Sequence, residues 1–587
     1  MTKLEEYYYY ILNKYSFKKN LESGNINRII RDSLEKFLVD VKKPAIYCNG
    51  AHTQKMLSDF VFELKKINII IDNFIDGMDS GYKIINKDDI KSENIDAIVV
   101  SSYNYMEQIV NELNRDHPDI KVLNIYEKLR EQGIYLHSNY YYGTHPFHNY
   151  HLLNRLQKEL EISDDKDKIF FKIINKYLDI KDFKSAIKYS QEAFAFTGKL
   201  TYKYMMIDFE EIYNLELECA SNISPNNVLM LCMDGLRFRD VNNDLLPKLS
   251  KHLADNWMNY SSTYSYSTST YESLIPAYSE NTDMRTKYYD KCFVDGNDCR
   301  FIQTALGQER DIFFYTDGAH YIEHNNIHYS EISRTITQKF WDFILDAQNV
   351  KNGLFYIHGL YETHFAFPNP YTKGNLIAEG TALLFDMLPV RGGKLRTDYV
   401  RQHDDALRYI DDVIAPLLKE IKCSAVFYAD HGNLLMSVNS TLTDIKKEYL
   451  QCGEEWIRIP FYVKSSYHNN GSCNILHSIM SINDVIISLL ENNEYKPLDK
   501  AYIKIGRSQI YNPNFQRLYK LLGEEKRLQS FEGFIFPEGY KLIVYADGHI
   551  ELYDLNDNEL FDNNKIKDLM MVVRREITVI EYGKLVV

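Results

Sequence analysis

Two apolar runs in this chain each end abruptly on an aspartate with glycine close behind it, and they lie far apart in sequence. The first is VLMLCM, running into Asp234-Gly235. The second is SAVFYA, running into Asp430-His431-Gly432. Short apolar runs without alternation read as strands buried on both faces, the kind that parallel sheets contain. Parallel strands bring their carboxyl ends to one edge, and open α/β sheets bind ligands along that edge. Glycine after each acid lets the backbone turn sharply and approach a bound group. An Asp-Gly turn alone is a common feature of loops. A strand tip that offers aspartate and imidazole together is harder to explain by packing, and both are ordinary ligands of zinc or manganese. Asp430 and His431 are thus candidate metal ligands, and the Asp234-Gly235 turn on its own is a weaker signal of the same kind.

Between the two runs lies SSTYSYSTSTYESLIPAY (261–278), a stretch rich in hydroxyls. Most such stretches are polar turns. A metal site that does chemistry also needs a nucleophile, and a threonine or serine hydroxyl becomes one when a divalent metal helps remove its proton. The ESLIPAY that follows reads as the start of a helix, whose first amides can receive anionic oxygens.

The rest of the chain supplies context. At 587 residues it exceeds what one core supports, and two to four domains are expected. Residues 1–43 read as a charged helical segment. From Pro44 onward, AIYC (45–48), INIIID (67–72), AIVVSS (97–102) and IKVLNIY (120–126) read as buried parallel strands, with helices over 52–65 and 105–115. Residues 44–130 therefore form a small Rossmann-like α/β domain. Its first loop, Tyr47 to Thr53, holds only Gly50, so the glycine-rich dinucleotide fingerprint is missing. That weighs toward a scaffolding or partner-docking role over ligand binding. Residues 131–222 read as a helical connector, and 223–587 as the catalytic domain, with a C-terminal hairpin subdomain from about 526. Hydrophobic residues at 45% and charged residues at 26% fit a globular protein. A net charge of −14 without a basic stretch argues against a nucleic-acid partner. The opening MTKLEEYYYYILNKY lacks the features of a signal peptide, and no run of about 18 apolar residues predicts a membrane span. Eight cysteines without CxxC pairs fit a reducing compartment, so a cytoplasmic location is expected.

Taken in order, these segments resemble the sulfatase-like branch of the alkaline phosphatase superfamily. Thr268-Ser269-Thr270-Tyr271-Glu272 is similar to the nucleophile loop of phosphoethanolamine transferases and lipoteichoic acid synthases, which have a Thr-Ser-x-x-Glu arrangement. The resemblance implies that Thr268 is the nucleophile and a metal ligand, with Ser269 or Thr270 next in line. It also implies that Asp234 is the first acidic ligand and that Asp430 and His431 are the family's Asp-His pair. GLFYIHGLYETHFAF (353–367) is similar to a strand that places His364, with His358, beside the transferring group. YVRQHDDALRYIDDVIAPLL (399–418) is similar to the family's helix with a Tyr-x-Asp pair, here Tyr409 and Asp411. His403, Ser269 and Arg237 complete the expected substrate-binding set. WIRIPFYVKS (456–465), HSIMSINDVIISLL (477–490) and GYKLIVYADGHIELYDLNDNELFDN (539–563) resemble the strand, helix and closing hairpin of sulfatases.

Departures from the family narrow the chemistry. No cysteine or serine sits in the C/S-x-P-S-R context that formylglycine formation needs, which disfavours sulfate-ester hydrolysis and favours phosphorus. HGLYETH lacks the Asp of the two-metal pattern, and the stretch that follows His431 supplies no further histidine, so one tightly held metal is expected. The members it resembles usually carry a membrane anchor. Without one, the expectation is a cytoplasmic phosphotransferase moving a phosphoethanolamine, phosphoglycerol or O-methyl phosphoramidate group. The donor would be a phosphorylated or nucleotide-activated small molecule, and the acceptor a sugar of a cell-surface polysaccharide such as capsule. A phosphodiesterase or phosphatase using the same site, and a non-catalytic glycan- or partner-binding module, are the alternatives.

Overall fold

The computed structural model describes residues 2–17, 23–73, 77–79, 81–102, 105–131, 146–283, 293–316, 321–330, 334–364, 367–373, 393–435, 446–447, 450–511 and 513–579. The chain divides into two compact units, one of residues 1–17 with 150–587 and one of residues 18–149. The helical segment expected over 1–43 is thereby divided, with Lys3–Lys14 in the first unit and Ser23–Leu38 in the second.

The smaller unit is built on the four strands read from the sequence. Pro44–Tyr47, Ile69–Ile71, Ala97–Val100 and Lys121–Asn124 pair in parallel, with Pro44–Tyr47 between the second and third. The two central runs, Pro44–Tyr47 and Ala97–Val100, are buried along their whole length, as a sheet covered on both faces requires. Two further strands give no such signal in the sequence. Gly77–Asp79 and Tyr82–Ile85 form an antiparallel hairpin, and the second of them extends the parallel sheet beside Ile69–Ile71. The result is a mixed six-stranded, Rossmann-like sheet.

The larger unit centres on an eight-stranded sheet. Its middle is Val228–Met233, flanked in parallel by Gly353–Gly359 and Ser424–Tyr428. Beyond Gly353–Gly359 come Asp311–Tyr315 and Ile327–Tyr329, also parallel. On the other side lie Phe461–Lys464, Met258–Tyr260 and Gly471–Cys473. The three middle strands are buried at every position. Their core is shared with four helices before the sheet, Pro146–Ile162, Lys166–Asp179, Phe183–Thr197 and Leu200–Ser221. A hydroxyl cluster of Tyr278, Tyr356 and Tyr428, with oxygens 3.0 and 2.9 Å apart, satisfies polar tips inside this core.

The C-terminal part is larger than the expected hairpin. Ile503–Arg507, Phe531–Ile535, Tyr540–Tyr545 and Ile550–Asp554 make an antiparallel sheet of four strands, followed by the helix Asn563–Val573. Lys541, fully buried, joins this sheet to the Asp-His-Gly side of the unit by donating to Glu454 and to the Cys452 carbonyl. Among the described residues, no helix is long and apolar enough to cross a membrane.

Candidate metal centre and nucleophile loop

Because the three middle strands run in parallel, their carboxyl ends meet at one edge. Val228–Met233 delivers Asp234, Gly353–Gly359 delivers His358, and Ser424–Tyr428 delivers Asp430 and His431. Ligand atoms of Asp234, Asp430 and His431 all lie within 4.8 Å of one another, and all three residues are buried. Two glycines make this approach possible. Gly235 adopts φ +70°, a left-handed conformation that a side chain would strain. At Gly432 a Cβ would run into the Glu455 carbonyl oxygen, where backbone faces backbone. The Gly432 amide in turn donates to the Trp456 carbonyl at 2.6 Å and fixes the loop.

The donor set suits a divalent cation. Asp430 Oδ1 accepts from the Gly235 and His431 amides at 3.0 and 2.9 Å, which orients the carboxylate. Its Oδ2, and Oδ1 of Asp234, accept no hydrogen bond although both are buried. Orphaned carboxylate oxygens this deep are costly unless a cation meets them. His431 Nδ1 lies 2.5 Å from the Gly432 carbonyl oxygen, which can only accept. That nitrogen therefore carries the proton and leaves Nε2 as a lone-pair donor, 3.4 Å from Asp430 Oδ2 and 3.7 Å from Asp234 Oδ1. Burial works to raise the pKa of Asp234, but the imidazoles of His364 and His358 beside it outweigh burial and hold it well below the carboxylate range. Asp430 shifts the other way, raised by burial and by Asp234 beside it. A cation beside both carboxylates would favour the ionised form of each.

The nucleophile loop departs from expectation. Thr268 is buried, and its hydroxyl donates to Gln451 Oε1 at 3.3 Å, the oxygen that also accepts from Arg507 at 2.7 Å. The hydroxyl that meets the carboxylate–imidazole cluster belongs to Thr270. Its Oγ1 lies 3.3 Å from Asp234 Oδ2 and 3.2 Å from His431 Nε2. The local reason is helix geometry. The helix Thr270–Ser279 begins at Thr270, with Ser269 as an extended N-cap whose side chain makes no capping bond. Thr270 thus occupies the first turn, where unpaired amides also point. Ser273 anchors that turn by donating to the Asp430 carbonyl at 2.6 Å.

The histidines divide. His358 Nε2 lies 3.4 Å from Asp234 Oδ2, and its ring sits 4.9 Å from that of Tyr321. His364 is half-buried, and its electrostatic influence comes first among those that offset the effect of burial on Asp234. His403 lies apart from this group. It is buried, with Nε2 3.3 Å from Asp240 Oδ2 and Nδ1 3.0 Å from Asp404. Burial would lower its pKa, but Asp240 and Asp404 outweigh that and the net shift is upward. Arg237, expected to bind substrate, is committed as well. Nε and one terminal nitrogen grip Asp240 at 2.8 and 2.6 Å, and the other terminal nitrogen holds Glu455 at 2.6 Å. Asp411 is a helix cap, accepting from the Lys248 and Leu249 amides at 3.0 and 2.7 Å, and Tyr409 is buried in the core. Sequence pattern does not single out Asp240, Glu455 or Gln451. Of these, only Asp240 carries a local signal, sitting three residues after Arg237.

A Sulfatase family model matches residues 226–492. A search of curated protein sequences found no significant match. Among solved structures, the chain is similar to a phosphonate monoester hydrolase from Silicibacter pomeroyi, with 11% identity and TM-score 0.44, over 60% of this chain and 94% of that one. It is also similar to a 2-O GAG sulfatase, with 10% identity and TM-score 0.42, over 60% and 91%. A third match is the C-terminal periplasmic domain of EcEptC from Escherichia coli, with 16% identity and TM-score 0.33, over 45% and 83%. What this chain is similar to over residues 226–492, the stretch that contains all three candidate ligands and the nucleophile loop, is the Sulfatase family.

Proposed function

We propose that this chain is a phosphotransferase that moves a substituted phosphoryl group through a phospho-threonine on Thr270 to a sugar hydroxyl of a cell-surface polysaccharide. The observation that carries this reading is the Thr270 hydroxyl, held against Asp234 and His431 at the start of a helix. An unmodified threonine there supports phosphorus rather than sulfate-ester chemistry. Asp234, Asp430 and His431 would hold one divalent ion, zinc or manganese by their mix of oxygen and nitrogen donors. Such an ion supplies Lewis acidity, lowering the pKa of a nearby hydroxyl and polarising a phosphoryl oxygen.

The chain's own residues do the rest. Thr270 Oγ1 attacks phosphorus in line; the bond to the donor's leaving group breaks, and the threonine proton passes to that departing group. His358 and His364 bind the equatorial oxygens as charge develops there, and the open amides of the Thr270–Ser279 first turn face the same charge. The acceptor hydroxyl then attacks the phospho-threonine, loses its proton, and frees the Thr270 oxygen. The transferred group is of the phosphoethanolamine, phosphoglycerol or O-methyl phosphoramidate class. The donor is a phosphorylated or nucleotide-activated small molecule, and the reaction belongs in the cytoplasm.

Mass spectrometry of the intact protein after incubation with candidate donors tests this directly. A mass added to the peptide carrying Thr270, and lost on addition of a sugar acceptor, is expected. Thr270→Ala should abolish turnover of a p-nitrophenyl phosphodiester by at least about 10³-fold while bound metal persists. Thr268→Ala should retain most of it. Full activity in Thr270→Ala would overturn the assignment, and rapid release of p-nitrophenol without any acceptor would make the enzyme a hydrolase.

A further inference from the structure

The helices Pro146–Ile162, Lys166–Asp179 and Phe183–Thr197, with residues 370–373, line a cavity of about 760 Å³. That volume falls within the roughly 300–1,000 Å³ typical of small-ligand sites. Its wall combines flat aromatic surface with amides. Half-buried Tyr189 is backed by the buried Tyr177 ring, with centroids 5.3 Å apart at 24°, and half-buried Tyr371 lines the same space. Gln157 Nε2 donates to Tyr177 Oη at 3.0 Å and to the Pro370 carbonyl at 3.2 Å, so its side chain is fixed across the cavity wall.

Charge discriminates among ligands. Lys158, Lys188 and Lys373 are matched by Glu161, Glu192 and Asp405, so the lining favours neither sign. A nucleotide or free phosphate would call for surplus cations, and an apolar peptide for an apolar wall. A neutral molecule with hydroxyl edges and flat C–H faces meets both features present, the tyrosine rings and the array of hydroxyls, amides and carboxylates. That description is a saccharide. The cavity is also tied to the metal centre by the chain itself. The Phe367 amide donates to the carbonyl of His364, the histidine that acts on Asp234, at 2.6 Å, and Pro370 follows His364 within about 20 Å of extended chain.

We infer that this cavity holds an oligosaccharide stretch of the acceptor, away from the sugar that is modified. The inference rests on the transfer reading above, and the experiment separates the two. Full-length protein is applied to an array of bacterial polysaccharide fragments, in the wild-type, Thr270→Ala, Tyr189→Ala and Glu192→Arg forms, and turnover of the p-nitrophenyl diester is measured in parallel. Wild type and Thr270→Ala should retain the same glycans. Tyr189→Ala should lose about tenfold in retention, with diester turnover unchanged. Tyr189 is half-buried, so Glu192→Arg, on the exposed rim, provides a variant that leaves the core intact and should also weaken retention. Equal retention by both cavity variants, or none by wild type, overturns the inference. Glycan retention that depends on the cavity without phosphoryl turnover in any form would sink the transfer reading and leave the cavity standing.

Discussion

Two positions separate Thr268 from Thr270, and the difference decides which hydroxyl meets the ligands. In SSTYSYSTST nearly every position that is not tyrosine carries an aliphatic hydroxyl, so sequence pattern alone does not choose among them. What chooses is where the helix starts, which places Thr270 in its first turn and leaves Thr268 turned to Gln451. Asp234, Asp430 and His431 are legible because each follows a buried strand, and a strand tip has only one place to go. Arg237 and His403 are illegible for the opposite reason. Glu455, in the short helix Glu454–Ile457, is 218 residues from Arg237, and Asp240 is far in sequence from His403, so a charge that is satisfied in three dimensions looks free in one. Arg237 is almost wholly buried among its two carboxylates. Arg237→Ala would strand Asp240, and a loss of about 3–5 kcal/mol is expected from urea unfolding of the variant. His403 yields a test in pH. Its pKa is raised in the fold above the ordinary value of 6.5, because Asp240 and Asp404 outweigh the effect of burial. The stability it contributes is therefore complete below pH 6.5 and declines as pH climbs through the raised value. His403→Gln should cost more in Tm at about pH 6 than at about pH 9, and an equal cost at both would show that the ion pair with Asp240 contributes nothing.

At the scale of elements, sequence pattern identifies a strand wherever a single burial pattern governs it, as in the three middle strands of the large sheet. The hairpin of Gly77–Asp79 and Tyr82–Ile85 escapes that reading because its strands are short and the first is mostly polar, so no alternation announces them. Ile503–Arg507 escapes it for a related reason, since it joins a sheet whose other members lie well downstream. Two connections between elements carry their own predictions. Asp411, on the long helix Gly393–Glu420, satisfies two amides at the start of the helix Pro247–Asn256. Asp411→Ala should cost about 1–2 kcal/mol in urea unfolding, with kcat unchanged. Gly432 sits where any side chain meets the Glu455 backbone. Gly432→Ala must push the Asp-His-Gly turn away from Glu455, and both a lower Tm and a loss of bound metal are expected, the second read by elemental analysis of the purified variant.

For the whole molecule, the two units have separate hydrophobic cores, one around the eight-stranded sheet and one around the Rossmann-like sheet. Cores that share no residues can melt separately, and a single unfolding step is not the expectation for a chain of this kind. Calorimetry should resolve two transitions. Ile98→Ala, at a fully buried position of the smaller sheet, should lower one of them and leave the other in place. A uniform shift of both would show the units to be one cooperative block. The parallel order of the large sheet has a consequence for how the protein is made. Gly235 and Asp430, hydrogen-bonded in the finished fold, are 195 residues apart along the chain. No local hairpin or helix pair can gather these ligands, and closing so long a loop comes late and slowly. During synthesis Asp234 cannot meet Asp430 and His431 until Ser424–Tyr428 has emerged and docked beside Val228–Met233. An ion held by these three residues would therefore bind only the finished sheet and pull the folding equilibrium toward it.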